Sequence, residues 1–317
     1  MRTYRPVMRI RHSLSLFVIV LLVGCSRTEL IYNNADWFLK QYADGYFKMN
    51  WQQRRDWQPV LEAQLKQHRR EELPEVMAFL EDFGRSAGKR LDPNTAHCLV
   101  DRIEVIYRSH AELAVEVAVP LLMRLTDDQI DQMEERFEAL YFEYLETSQR
   151  QGRAGRIAER SERIRKRVER WTGTLDGQQV ALIETAAEDM PETFPAWPEY
   201  RLQQQTGLIQ LLREGAEPDR VRDYLTRWWV AYRDMTPCLE AALAGIRERS
   251  ANLLTEIDRT LDSVQRAQLV STIGMLRKEL SALVETTPHG TAREIVYCSN
   301  RPQPLDRTQP AEGGPGI

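Results

Sequence analysis

The chain has 317 residues, 42% hydrophobic and 28% charged, with 43 Lys+Arg against 47 Asp+Glu, which is more apolar material than a disordered chain carries. Its 16 Gly and 15 Pro exclude collagen-like and low-complexity classes, and a net charge of -4 gives no global reason to expect nucleic acid as a partner.

At the start, Arg2, Arg5, Arg9 and Arg11 precede an apolar run from Leu14 to Val23, and no acid occurs before Glu29. At about 1.5 Å per residue that run covers roughly 15 Å, half a bilayer's hydrocarbon thickness, so it reads as a secretory signal and not as a spanning helix. It ends in Leu22-Val23-Gly24-Cys25-Ser26, which resembles the bacterial lipobox. The resemblance implies cleavage after residue 24 and acylation of Cys25. With Ser26 in place of Asp, it also implies sorting to the outer membrane, periplasmic face. Several acyl chains on one residue satisfy the two-signal requirement for stable anchoring. The expected organisation is a signal peptide over 1–24, a lipid-anchored aromatic segment over 25–48, an all-helical periplasmic domain over 49–300 and a disordered tail over 301–317. Within the anchored segment, Trp37, Tyr42 and Tyr46 are candidates for exposure at headgroup depth, with docking onto the helical body as the equal alternative.

Beyond residue 48, apolar residues recur at helical spacing with almost no strict alternation, which predicts an all-α fold. An apolar residue, then Asp, Asn or Thr, then Gln three positions later, opens several helices: Met49-Asn50…Gln53, Leu125-Thr126…Gln129, Leu175-Asp176…Gln179 and Leu261-Asp262…Gln265. This is a capping box, in which the cap side chain accepts from the N3 amide and the Gln reaches back to the cap amide. Leu91-Asp92-Pro93 and Glu217-Pro218 supply two more starts. Breaks fall at 84–92, 152–155, 173–177, 191–198 and 286–290. The spacing is too irregular for a solenoid, so the expectation is an elongated or bent multi-helix bundle of helical hairpins, single or as two packed sub-bundles.

Removal of the signal leaves Cys98, Cys238 and Cys298, an odd number in a compartment where disulfides persist. If Pro237 to Thr260 and Asp262 to Glu285 form an antiparallel hairpin, Cys298 returns toward Cys238. That pair is the expected bridge, with three reduced thiols the alternative.

Gly84-Arg85-Ser86-Ala87-Gly88 spells a nucleophile elbow, but helical sequence precedes it where the elbow needs a strand. A helix end explains the glycines better, and Ser86 carries only an unfavoured hydrolase reading. His97, Asp101 and Glu104 share one helical face, which reads as solvated surface before it reads as a metal set. No metal, no cofactor and no catalytic residue is expected. Nine basic and three acidic residues between Arg150 and Arg170 form the densest positive run. Ile157, Ile164, Val168 and Trp171 make that stretch an amphipathic helix with its arginines in water, balancing Glu134 to Glu146, and the alternative is that Arg156, Arg160, Arg163 and Arg167 bind an anionic glycan or lipid. Leu225, Trp228, Tyr232, Met235 and Leu239 form a core stripe.

Leu30-Ile31-Tyr32-Asn33-Asn34-Ala35-Asp36-Trp37 and His68-Arg69-Arg70-Glu71-Glu72-Leu73-Pro74, with the Gln-containing helix starts and the Arg/Glu-rich helix ending at Trp171, resemble a proteobacterial lipoprotein family known as domain of unknown function 6279. The Leu-Thr-x-x-Gln start is also similar to that of periplasmic stress chaperones of the Spy and CpxP type. The family has no catalytic residues to carry over. The expectation is a non-enzymatic, lipid-anchored helical protein presenting a surface to an envelope protein or a client polypeptide.

Overall fold

A computed structural model describes Tyr32, residues 34–284 and residues 297–298. The signal segment, Cys25, His289, the break at 286–290 and the tail over 301–317 lie outside them. The described elements are all helical: α1 (Ala35–Phe47), α2 (Trp51–Gln67), a π-helical turn (His68–Glu72), α3 (Leu73–Ala87), α4 (Pro93–Leu122), α5 (Asp127–Thr172), α6 (Gly177–Asp189), α7 (Ala196–Arg213), α8 (Pro218–Leu225), a second π-helical turn (Thr226–Val230), α9 (Pro237–Thr260) and α10 (Ser263–Ser281). Among the described residues, no helix is long and apolar enough to cross a membrane.

All four expected capping boxes form, at Asn50, Thr126, Asp176 and Asp262. Their glutamines do more than close their own helices. Gln53 Nε2 donates to Gln129 Oε1 at 2.7 Å and Gln129 Nε2 returns a bond at 3.0 Å. The remaining amide hydrogens reach Arg124 O, in the loop ahead of α5, and Phe47 O, at the C-terminal end of α1 ahead of α2, at 2.6 and 2.7 Å. Gln179 and Gln265 repeat the arrangement at 2.7 and 2.9 Å, with Thr260 O and Thr174 O as the backbone acceptors. Each pair thus fastens two helix–loop–helix elbows N-terminus to N-terminus. All four glutamines are buried, and buried amides with every group satisfied fix one arrangement of their neighbours.

Helix α5 starts at the first glutamine pair and its C-terminal end leads into the second. It consists of two arms meeting at Gly152, where φ of 63° and ψ of -178° leave the helical region. This is the expected break at 152–155, made by a single residue. Glycine alone reaches this backbone region at little cost. Across the bend Arg156 Nη1 donates to Ser148 O at 2.8 Å and Gln151 Nε2 to Glu159 at 3.1 Å.

The largest apolar cluster joins α4, the start of α5, α7, α8 and the second π turn around Leu225 and Val221, both fully buried. A second joins α3 and α10 with Tyr32. A third gathers Ile183, Leu253 and Ile257 from α6 and α9 against Ile164 and Val168 of α5. Burial of each such Leu or Ile contributes about 1.5–3 kcal/mol. The stripe from Leu225 to Leu239 is spread over two clusters. Its backbone is interrupted between the second π turn and α9, where Tyr232 and Asp234 have positive φ.

The expected Cys238–Cys298 bridge is overturned, because Cys98 pairs with Cys298, and Cys238 is a free, exposed thiol. The physical reason is the packing of the last two helices. α10 lies along α3 and α9 along α4, so the chain after α10 is delivered to the α3/α4 end and away from the start of α9. There Cys98 and Cys298 share a cluster with Leu91, Ala96 and Leu99, and the Cys298 amide donates to the buried Asp82 carboxylate at 2.5 Å.

Candidate functional site

The most unusual local structure begins at a proline. Pro74 has no N–H, and its ring crowds the carbonyl four residues back. The helix widens just before it, with the Leu73 amide bonding His68 O in an i→i+5 turn. The extra residue in this turn leaves both His68 and Glu72 facing inward, at 4% and 3% exposure. π-helical turns of this kind recur at functional sites.

The two side chains meet α4. His68 Nε2 lies 2.9 Å from His110 Nε2, and His110 Nδ1 lies 2.6 Å from Ile106 O. On the other side, His68 Nδ1 lies 2.5 Å from the Tyr32 hydroxyl. The proton positions follow from the end of this row. A carbonyl only accepts, so His110 carries its proton on Nδ1 and presents a lone pair at Nε2. His68 then donates from Nε2 and accepts the Tyr32 hydroxyl at Nδ1. The row is a directed relay of neutral groups. Burial first, and then the repulsion that a protonated His110 and the Arg69 guanidinium would exert on a His68 imidazolium, lowers His68 to about 3. Burial also lowers His110, against the opposing pull of Ile106 O, Glu72 and Glu75. Beside the relay Ser109 donates to Glu72, and the Arg69 guanidinium lies 5.2 Å from the centre of the Tyr32 ring. An adjoining cleft of about 190 Å³ is lined by Gln64, Glu71, Glu72, Ser109, Glu112 and Thr226.

The residues singled out from sequence have other surroundings. Ser86 sits within α3 and donates to Asp82 O at 2.9 Å, as a helical serine does, so no nucleophile elbow exists. His97 bonds Pro93 O at 2.8 Å and Glu248 of α9 at 3.0 Å. The Pro93 carbonyl first, and Glu248 next, raise its pKa above the usual histidine value. Glu104 pairs with Arg108 and with Arg247 of α9. The His97/Asp101/Glu104 face therefore fastens α4 to α9. Among the described residues, no group of three or more His, Cys, Asp or Glu is placed to hold a metal ion.

The four candidate arginines divide. Arg156 pairs with Glu192 at 3.1 Å and lies over the Phe194 ring, while Arg160 donates to Ala187 O and Met190 O, capping the end of α6. Arg163, which pairs with Glu159, and Arg167 are exposed. Two of the four are thus engaged at the α5–α6 junction, and two remain on the surface. Of the aromatic residues after the expected anchor, Trp37 is 53% exposed. Tyr42 and Tyr46 are half-buried, the latter beneath Arg136 of α5. The His68–His110 relay was missed in the sequence. Its nearest signal was the run from His68 to Pro74, where a proline follows charged helical residues.

A family model described as "Family of unknown function (DUF6279)" matches residues 45–233. The matched stretch contains the first glutamine pair, both relay histidines and the bend at Gly152. No curated protein and no solved structure matches the chain.

Proposed function

The chain belongs to the DUF6279 family, and from that premise we propose that it is a lipid-anchored scaffold of a bacterial envelope, a helical frame held on the periplasmic face of the outer membrane to present a surface to another envelope protein or a client polypeptide. The observation that carries the scaffold reading is the pair of glutamine junctions, which commit four side-chain amides, with all eight of their N–H hydrogens, to holding helices in place. The polar residues that could have served chemistry are spent the same way: His97 and Glu104 tie α4 to α9, and Arg160 closes α6. The Cys98–Cys298 disulfide supports the exported location, since such bonds persist in oxidising compartments. The residues from Arg2 to Ser26 support the anchor.

Mass spectrometry of the membrane fraction tests the anchor, with acylated Cys25 as the expected mature terminus. Cross-linking in intact cells tests the scaffold. A monomer that captures no envelope protein or client refutes it, and unchanged processing and partitioning of Cys25→Ala refutes the anchor.

A client-binding role has one specific observation in its favour. On α5, Phe142 and Tyr144 are 60% and 41% exposed among the exposed Glu138, Glu143 and Glu146, a surface suited to unfolded segments with apolar and basic residues. Suppression of aggregation of a denatured test protein, lost in Phe142→Ser, is the expected result.

A further inference from the structure

The first helical hairpin, α1 and α2, has a charge pattern unlike the chain as a whole. From Asn34 to Pro59 every exposed residue is uncharged or basic, including Lys48, Arg54 and Arg55, the next exposed acid being Glu62 further along α2, in a protein whose net charge is -4. The three carboxylates in this span are paired with cations: Asp36, whose side chain is 37% exposed, with Lys40, Asp44 with Arg54, and Asp56 with Arg55 and Arg124. The same hairpin carries large exposed aromatics. Of the seven tryptophans, only Trp37 and Trp51 are among the exposed large hydrophobics, at 53% and 71%, and Phe38, at 44%, stands edge-on to Trp37. Arg55 lies 4.6 Å from the centre of the Trp51 ring, so a cation and an indole are presented together.

The chain itself limits what can cover this surface. Tyr32 is fastened in the core by His68, and Cys25 is seven residues earlier in sequence. Seven extended residues reach about 25 Å at most. If Cys25 is acylated, the bilayer surface lies within that distance of the buried Tyr32, at the end of the molecule where α1 begins. Tryptophan and phenylalanine beside basic groups, with no exposed carboxylate between them, match the headgroup region of an anionic bilayer.

We infer that the outward face of the α1–α2 hairpin, carrying Trp37, Phe38, Trp51, Lys48 and Arg55, lies on the anionic lipid surface in which the Cys25 acyl chains are inserted, setting the orientation of the bundle on the membrane. This rests on the lipid-anchor reading above. The two fail separately.

The test uses the full acylated protein in phosphatidylethanolamine/phosphatidylglycerol vesicles containing phospholipids brominated on their acyl chains, which quench only tryptophans at the membrane. Wild type is expected to lose several-fold more of its emission than the W37F/W51F variant, whose remaining tryptophans are not exposed. Equal quenching of the two, with acylation confirmed and circular dichroism unchanged, overturns the membrane-facing surface and leaves the anchor standing. The same holds if cross-linkers at positions 37 and 51 capture a protein or a second copy of the chain without lipid quenching. Absence of acyl chains on Cys25 overturns both.

Discussion

The relay of Tyr32, His68 and His110 makes stability depend on pH with a definite sign. In the unfolded chain His68 has its ordinary pKa near 6.5, and in the folded protein burial holds it down to about 3. Above pH 6.5 both states are neutral and the relay's contribution is fully present. As pH falls the unfolded chain takes up a proton that the folded chain refuses, which costs about 1.4 kcal/mol per pH unit. At pH 5 the loss from His68 alone is therefore about 2 kcal/mol, a figure insensitive to the folded value provided that lies well below 5. The facing groups are Tyr32, His110 and Arg69, with Glu72 and Glu75 acting on His110. His110 is also lowered and adds in the same direction. Geometry agrees, because a proton on His110 Nε2 would set two N–H groups against each other across the 2.9 Å contact. Urea unfolding of wild type and His68→Gln at pH 7 and pH 5 measures the effect. Glutamine can still donate and accept but does not titrate. The stability lost between the two pH values should be smaller in the variant by about 2 kcal/mol. An identical loss in both proteins would show that His68 is not the proton-refusing group.

Other substitutions probe the frame. Gln179→Leu leaves the Gln265 amide and Thr260 O without their partner and should destabilise by about 2–4 kcal/mol, while adding Gln265→Leu should cost less than the sum of the two single changes; additivity in urea unfolding would mean the glutamines act independently. Non-reducing peptide mapping should recover Cys98 joined to Cys298 with Cys238 open to a maleimide, and loss of the bridge in Cys98→Ser should lower stability by about 2–5 kcal/mol. Gly152→Ala has no steric obstacle to its Cβ within 4 Å, so its expected cost of about 1–3 kcal/mol comes from the backbone conformation alone. An unfolding midpoint equal to wild type would place that residue in an ordinary region.

Helix boundaries were readable because capping is local. Asn50, Thr126, Asp176 and Asp262 each need only residues three positions away. The joining of those starts in pairs was not read, although one residue choice hints at it. Glutamate serves a capping box and suits the positive end of a helix dipole, yet all four boxes use glutamine, whose amide hydrogens are free to bond elsewhere. Which box faces which depends on contacts 76 and 86 residues apart, beyond any local pattern. The disulfide was misjudged for the same reason: two helices adjacent in sequence were assumed to pack together, whereas each found a partner elsewhere. His68 and His110 are 42 positions apart, and the register slip that turns His68 inward depends on how Pro74 is accommodated. The arginine run was legible as an amphipathic helix, but the use of Arg156 and Arg160 inside the α5–α6 junction depended on where residues 187–192 come to lie.

Gly152 stands between two arms whose far ends are each locked by a glutamine pair. With its ends pinned, α5 behaves as a jointed strut, so a side chain at residue 152 would redirect the load path between the junctions without touching either. The angle between the two arms is therefore set at this one residue, while the junctions hold their ends.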